Sequence, residues 1–326
     1  MGNSKSSGTK GSFPSVQDFR YVNGRRYHSE SDTPYILSSD LEEIDRQQLQ
    51  HYCCKHIFRS NVSAPVEQKL IEGSKVLDVG CGTGIWVLEL STEYLMSEFI
   101  GVDMSPVFPI QIKPLNSTFI KANVLHGLPF SSDEFDYVHL SFMNGCFTDD
   151  QWQNIVIPEL IRVLKPGGWL ELYDVDVFTH KGGPLINRLT ASVQQRISSV
   201  GLNSRAPNLY KQWVSSHSCL RDIEEIVFYP YVGEWKGYVV DGDDDNMDLN
   251  GKENIKSRYD VGLGILLKEM FKLFYITESE NLSQFAGVSK EEYLEMVEEC
   301  FEREMPEYDS RVKFMRVIEP ILYLVT

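Results

Sequence analysis

The densest chemical signal in the chain is Val76-Leu77-Asp78-Val79-Gly80-Cys81-Gly82-Thr83-Gly84. An apolar run of strand length carries a carboxylate and breaks into three alternating glycines. Glycine has no Cβ, so a turn of this kind lets a ligand lie against the backbone. Ile85-Trp86-Val87-Leu88-Glu89-Leu90 reads as the start of a helix, which sets the positive end of a helix dipole at the loop. A second strand, Glu98-Phe99-Ile100-Gly101-Val102-Asp103, ends in an acid. A carboxylate at that place accepts both hydroxyls of a ribose. Strand, glycine loop, helix, strand and acid together specify a site for a nucleoside-containing cofactor.

The glycine spacing separates two cofactors. A dinucleotide fingerprint needs a third glycine where Ile85 stands, which disfavours an NAD(P)-dependent oxidoreductase. Asp78, two residues before the first glycine, would repel a pyrophosphate and attract the ammonium of a methionine moiety. The whole set resembles the S-adenosylmethionine (SAM) loop of class I methyltransferases. Thr118 to Val124 reads as a third strand, Phe135 to Leu140 as a fourth, and Leu164-Lys165-Pro166-Gly167-Gly168-Trp169-Leu170 as a helix exit, a turn and a fifth strand. The last pattern is also similar to that class, and the resemblance covers residues 76 to 174. Residues 27 to 58, Val156 to Leu164 and Gly183-Pro184 are similar to the LaeA-like fungal methyltransferases.

This resemblance implies an α/β, Rossmann-like class I methyltransferase fold. Its sheet would have seven mostly parallel strands with the last antiparallel, helices on both faces and helical C-terminal insertions. It implies SAM as cofactor and a small-molecule or protein methyl acceptor, with a link to secondary metabolism or its regulation. The competing reading is a catalytically weak SAM-binding regulator that acts through a protein partner. The expected cofactor residues are Asp78 for the ammonium, Gly80, Gly82 and Gly84 for close backbone approach, and Cys81 packed in the same loop. Asp103 would hold the ribose, Met104 would lie beside the adenine, and Asn123 and Val124 would frame the base, with Asn123 accepting from the exocyclic amine. Ser141 completes the set at the substrate edge, where LaeA-like proteins often carry Arg.

Methyl transfer from a sulfonium is an in-line displacement in which positioning supplies much of the rate. A weakly acidic nucleophile would also want a general base. His139, Tyr173, His126 and His180 all fall near strand ends where the substrate should approach, and the first two are the leading candidates. Ser141-Phe142-Met143-Asn144 stands where a D/N-P-P-Y/F motif would follow the fourth strand, which argues against methylation of a nucleobase amine.

The elements that must position these residues are legible from pattern. Ser39 with Glu42 forms a capping box for a helix reaching Phe58, which carries Arg46 and His51; Thr148 with Gln151 and Ser289 with Glu292 form two more. The helix containing Arg46 would close over the cofactor, or else carry a surface salt bridge and a half-buried histidine. Helices are expected at 185–200, 206–217, 254–277 and 289–304, and late strands at Ile223–Tyr229 and Val312–Val317. Pro158 should start a new segment or kink its helix. The organisation is a disordered tail over 1–20, a helical lead-in over 21–60, the SAM-binding core over 61–180 and its C-terminal continuation over 181–326. Tyr238 to Lys252, with five aspartates, lacks the register of a calcium loop and reads as solvated.

Of 326 residues, 42% are hydrophobic, and the net charge is −16. So acidic a chain is not expected to read a phosphate backbone. Six cysteines without metal or redox spacing point to reduced thiols in the cytoplasm or nucleus, and no metal site is expected. Met1-Gly2-Asn3-Ser4-Lys5-Ser6 fits an N-myristoylation pattern at Gly2, which would give only a weak membrane tether.

Overall fold

The computed structural model describes residues 9–10, 15, 18–22, 24–30, 33–220, 222–234 and 261–320. Gly2, the acidic stretch 238–252 and the first residues of the helix expected from 254 lie outside them. The chain opens with β1 (Thr9–Lys10) and a hairpin of β2 (Phe19–Val22) and β3 (Arg25–His28), followed by α1 (Leu41–Phe58) and α2 (Glu67–Glu72). The core continues with β4 (Lys75–Val79), α3 (Ile85–Glu93), β5 (Glu98–Asp103), β6 (Ser117–Lys121) and β7 (Phe135–Ser141). Then come α4 (Asp149–Gln151), a π-helical turn at Trp152–Val156, α5 (Ile157–Val163) and β8 (Leu164–His180). The last part holds α6 (Pro184–Ser199), α7 (Tyr210–Ser215), β9 (Glu224–Phe228), α8 (Val261–Thr277), α9 (Ser279–Ala286), α10 (Lys290–Glu299) and β10 (Arg311–Pro320).

The strands form one sheet in the order β1-β6-β5-β4-β7-β8-β10-β9. β4 pairs in parallel with both β5 and β7, β5 with β6, and β7 with β8. β10 runs antiparallel to β8 and to β9. Among the seven strands from β6 to β9, β10 alone is therefore reversed, as the class I resemblance implies. The two-residue β1 extends the sheet to eight at the β6 edge, antiparallel. β4 is apolar and buried on both faces, with Val76 and Leu77 at 0% exposure, as a central parallel strand must be. Strand order reverses at β4, and the crevice beyond the carboxyl ends at such a switch point is where doubly wound sheets bind ligands.

Local chemistry accounts for most element ends. The boxes at Thr148/Gln151 and Ser289/Glu292 both form. The box expected at Ser39 does not. Asp40 caps α1 instead, its carboxylate accepting from Glu43 N at 3.3 Å. Ser39 is drawn away by the hairpin, its N–H donating to Arg26 O at 2.7 Å. Pro158 falls in the first turn of α5, directly after the π-helical turn. Lys165 to Gly168 bulge out of β8 opposite the single residue Asp136, where the register with β7 shifts, and Lys165 Nζ donates to Asp136 there at 2.8 and 2.9 Å. Three apolar clusters fill the two faces of the sheet and the space under α6, α8 and α10. Among the described residues no helix is long and apolar enough to cross a membrane, and no three metal-binding side chains are grouped.

Candidate functional site

The glycine loop is hooked onto its neighbouring strand. Gly80 N and Cys81 N both donate to Val102 O, at 2.8 and 3.0 Å. Asp103, at the end of β5, closes the loop from the other side: Oδ2 accepts from Gly82 N and Oδ1 from Ser105 N, each at 2.8 Å. Burial raises the Asp103 carboxyl to about 6, against the pull of those N–H donors and with the Asp78 charge adding to the rise. Gly80 has φ +74°, and a Cβ there would fall 2.7 Å from Met143 Sδ. Gly84 also has φ +74°, but its missing Cβ would fall 2.4 Å from the Phe119 ring. Gly84 does not line the cavity. The expectation that it brings backbone to the ligand is corrected: its smallness seats α3 against β6.

A cavity of about 280 Å³ opens above these carboxyl ends. Asp78, Gly80, Cys81, Gly82, Asp103, Met104, Asn123, Val124 and Ser141 all line it. Like Asp103, Asn123 and Asp78 are already engaged by side-chain hydrogen bonds. Asn123 Oδ1 accepts from Leu125 N at 3.0 Å, capping a short 3-10 turn, and Nδ2 donates to Thr33 Oγ1 at 3.1 Å. The carbonyl assigned to the adenine amine therefore already holds one hydrogen bond. Asp78, 3% exposed, receives His139 Nδ1 on Oδ1 at 2.8 Å. Burial pushes the Cys81 thiol well up, which keeps it a packing group.

Both candidate bases line the cavity, each held in place by packing. His139 is 2% exposed, its ring stacked on Trp86 at 4.2 Å and 5°. The Trp86 indole is itself fixed by donating to Asn61 O at 2.9 Å. With one nitrogen on Asp78 and a face covered, His139 orients that carboxylate. Tyr173 is packed edge-on against Phe58 and Phe142, at 4.9 and 4.8 Å. Burial pushes its phenol well above the ordinary value, so it keeps its proton near neutral pH. His126 and His180 do not line the cavity.

α1 roofs the loop. Gln47 Oε1 lies 3.0 Å from where a Gly82 Cβ would be, and Gln47 Nε2 donates to Glu43 Oε1 at 3.1 Å. Glu89 of α3 holds the other end of α1 by accepting from His51 at 2.7 Å and from Lys55. Arg46 is not on a surface salt bridge; it is buried and bidentate on Glu43, at 2.7 Å for both bonds. The hairpin locks the roof to α8, because Arg25 donates to Asp40, Ser38 and the Thr277 carbonyl. Beyond Ser141 the cavity continues between β7, β8, α1 and α8, past Tyr35, Phe142, Met270 and Phe274. Phe142 sits there at φ +55°, a conformation that bulky residues rarely hold away from functional turns. Its N–H donates to Tyr173 O at 2.9 Å.

Sheet order and glycine loop are those of a class I SAM-dependent methyltransferase domain. Residues 76–168 match the family described as "Methyltransferase domain". Methyltransferase pytC of Aspergillus terreus is 34% identical over 178 residues, which cover 52% of this chain and 51% of that protein. Methyltransferase str3 of Strobilurus tenacellus is 33% identical over 148 residues, covering 45% and 50%. Secondary metabolism regulator LAE1 of Cochliobolus heterostrophus is 30% identical over 165 residues, covering 50% and 53%. The chain thus spans about half the length of the curated relatives it matches.

Proposed function

We propose that the protein transfers the methyl group of SAM to a small-molecule acceptor. The observation that carries this reading is the continuity of the cavity, which runs from the glycine loop and Asp103 into a part lined by aromatic side chains. The sulfonium would lie at the junction of the two halves. Asp103 holds the ribose, Met104 and Val124 flank the adenine, and Asn123 caps its edge. Gly80, Cys81 and Gly82 supply the backbone surface under the methionine moiety. Asp78, oriented by His139, receives its ammonium, and Ser141 marks the border with the acceptor.

Chemistry then needs little beyond alignment. The acceptor lone pair forms the bond to the methyl carbon, the C–S electron pair returns to sulfur, and the acceptor proton passes to water. S-adenosylhomocysteine (SAH), a neutral thioether, leaves. A cavity of about 280 Å³ lined from both α1 and α8 suits a small molecule better than a folded protein. The likeness to LAE1 supports a second reading, a SAM-binding regulator with little turnover, and a place in secondary metabolism or its control. Calorimetry with SAM, SAH and NAD tests the cofactor: micromolar binding of the two sulfur ligands and none of NAD is expected. Release of SAH when extracts rich in small metabolites are added tests turnover. Tight SAM binding with no SAH formed under any acceptor mixture would favour the regulator.

A further inference from the structure

The acceptor half of the cavity has an electrostatic character of its own. Among the described residues, each charged side chain that lines it has a partner within the protein, with the Arg316 Nε–H left over. Arg46 gives two N–H groups to Glu43 and a third to Gln50 Oε1, all at 2.7 Å. Arg316, 3% exposed, lies 3.2 Å from Glu171 and donates to Ser63 Oγ at 2.8 Å. Asp176 accepts from Asn208 Nδ2 at 3.0 Å and Phe178 N at 3.1 Å, with Arg205 at 3.8 Å. Asp174 faces no cation, but its oxygens are taken by Asn144 N, Val175 N and Tyr210 OH, each at 2.8 Å. Burial raises that carboxyl to about 7, in keeping with a site hostile to free charge.

Two of the aromatic faces are committed too. The Arg46 guanidinium stands 5.7 Å from the Phe274 centroid, and Arg316 lies 4.7 Å from that of Tyr173. A cationic acceptor seeking the negative face of either ring meets a guanidinium already there. An anionic acceptor finds no unpaired cation and gives up its hydration to an apolar wall. An uncharged ring system loses little water and gains the contact surface of the wall.

We propose that the acceptor is an uncharged small molecule that lays an aromatic or conjugated ring against Tyr35, Phe142, Met270 and Phe274. Its role as methyl acceptor rests on the methyltransferase reading; its binding preference rests on the chamber alone. The test is a matched series, 2-naphthol, 2-naphthoate and 2-naphthylmethylammonium, titrated at pH 7 into the full-length protein with and without saturating SAH. The neutral probe is expected to bind at least tenfold more tightly than either charged one. Glu43→Gln, which strips Arg46 of its counter-charge, should raise affinity for 2-naphthoate at least tenfold and leave 2-naphthol within twofold. Should that variant fail to fold, the wild-type series still decides. A charged probe that matches or beats 2-naphthol overturns the proposal, as does failure of all three to bind. SAH binding with a reversed probe order removes only the acceptor inference, whereas absent SAH binding with the neutral preference intact removes only the methyltransferase reading.

Discussion

Cofactor affinity should fall steeply as the medium becomes acidic, and Asp103 is the reason. Its carboxyl titrates near 6 in the ligand-free protein, lifted by burial and by Asp78. The ribose hydroxyls are donors, so they bind the ionised form. A group with its midpoint near 6 is about nine-tenths ionised at pH 7 and about nine-tenths protonated at pH 5. Affinity is therefore fully present above about pH 7 and lost as pH falls through 6. The loss from pH 7 to pH 5 is roughly tenfold, or about 1.4 kcal/mol. SAH is the ligand to use, since it is a free amino acid whose α-carboxylate and α-ammonium both keep their charge between pH 5 and 7. Calorimetry at half-unit steps in matched ionic strength reads the curve directly. Asp103→Asn should bind SAH weakly and with a nearly flat profile between pH 5 and 7. A wild-type profile that is flat over the same range, or an Asp103→Asn profile as steep as the wild type, would refute the assignment of Asp103 to the ribose.

Three further outcomes follow from packing and burial. Gly84→Ala places a methyl group against Phe119 in a left-handed conformation, and should cost about 2–4 kcal/mol from overpacking and backbone strain in urea unfolding; a loss under 0.5 kcal/mol would mean that α3 has room to shift. Glu319 is fully buried with neither carboxylate oxygen hydrogen-bonded, and burial raises it to about 8. The unfolded chain releases that proton near 4.5, so stability is eroded as pH rises from about 4.5 to 8. Glu319→Gln should accordingly raise the Tm at pH 8 by several degrees and by much less at pH 4.5; equal shifts at both would contradict this. Arg25→Met removes the ties from the hairpin to Asp40 and Thr277, and should speed SAH dissociation by roughly tenfold or more, since a hydrogen bond to a charged group is worth ~1.5–3 kcal/mol. An unchanged off-rate, with unchanged amide exchange in α1, would show that the roof does not need this tie.

The cofactor half was readable because its chemistry is local in sequence. Asp78 to Gly84 form one continuous turn, and Asp103 follows at a spacing fixed by one helix and one strand. Legibility ended where a role depends on a distant partner. His139 looked free for proton transfer until Asp78, 61 residues away, was found holding its ring. Ser39 carried a proper capping signature, yet the hairpin took its backbone and Asp40 assumed the cap. Gly84 fitted the ligand pattern, but Phe119 of β6 occupies the space beside it. The aromatic end of the cavity draws on Tyr35, Phe142 and Phe274, three aromatics from unrelated elements with no periodicity to join them. The short hairpin and α9 carried too few patterned residues to stand out.

The tie between the hairpin and α8 also bears on how the chain comes together during synthesis. Arg25 meets Thr277 across 252 residues and Tyr27 meets Asn281 across 254. Closing so long a loop costs entropy that only the completed contacts repay. The parallel strands β4 to β8 can pair once the first 180 residues have emerged, giving a nearly finished nucleotide half. The apolar walls of α1 and β8 must then wait, uncovered, until α8 is made. Exposed surface of that kind invites chaperones or association with other nascent chains. The wall that α8 contributes to the cavity is thus late to form, and a chain misfolded there would keep the glycine loop and Asp103 but lack the anchor of its α1 roof.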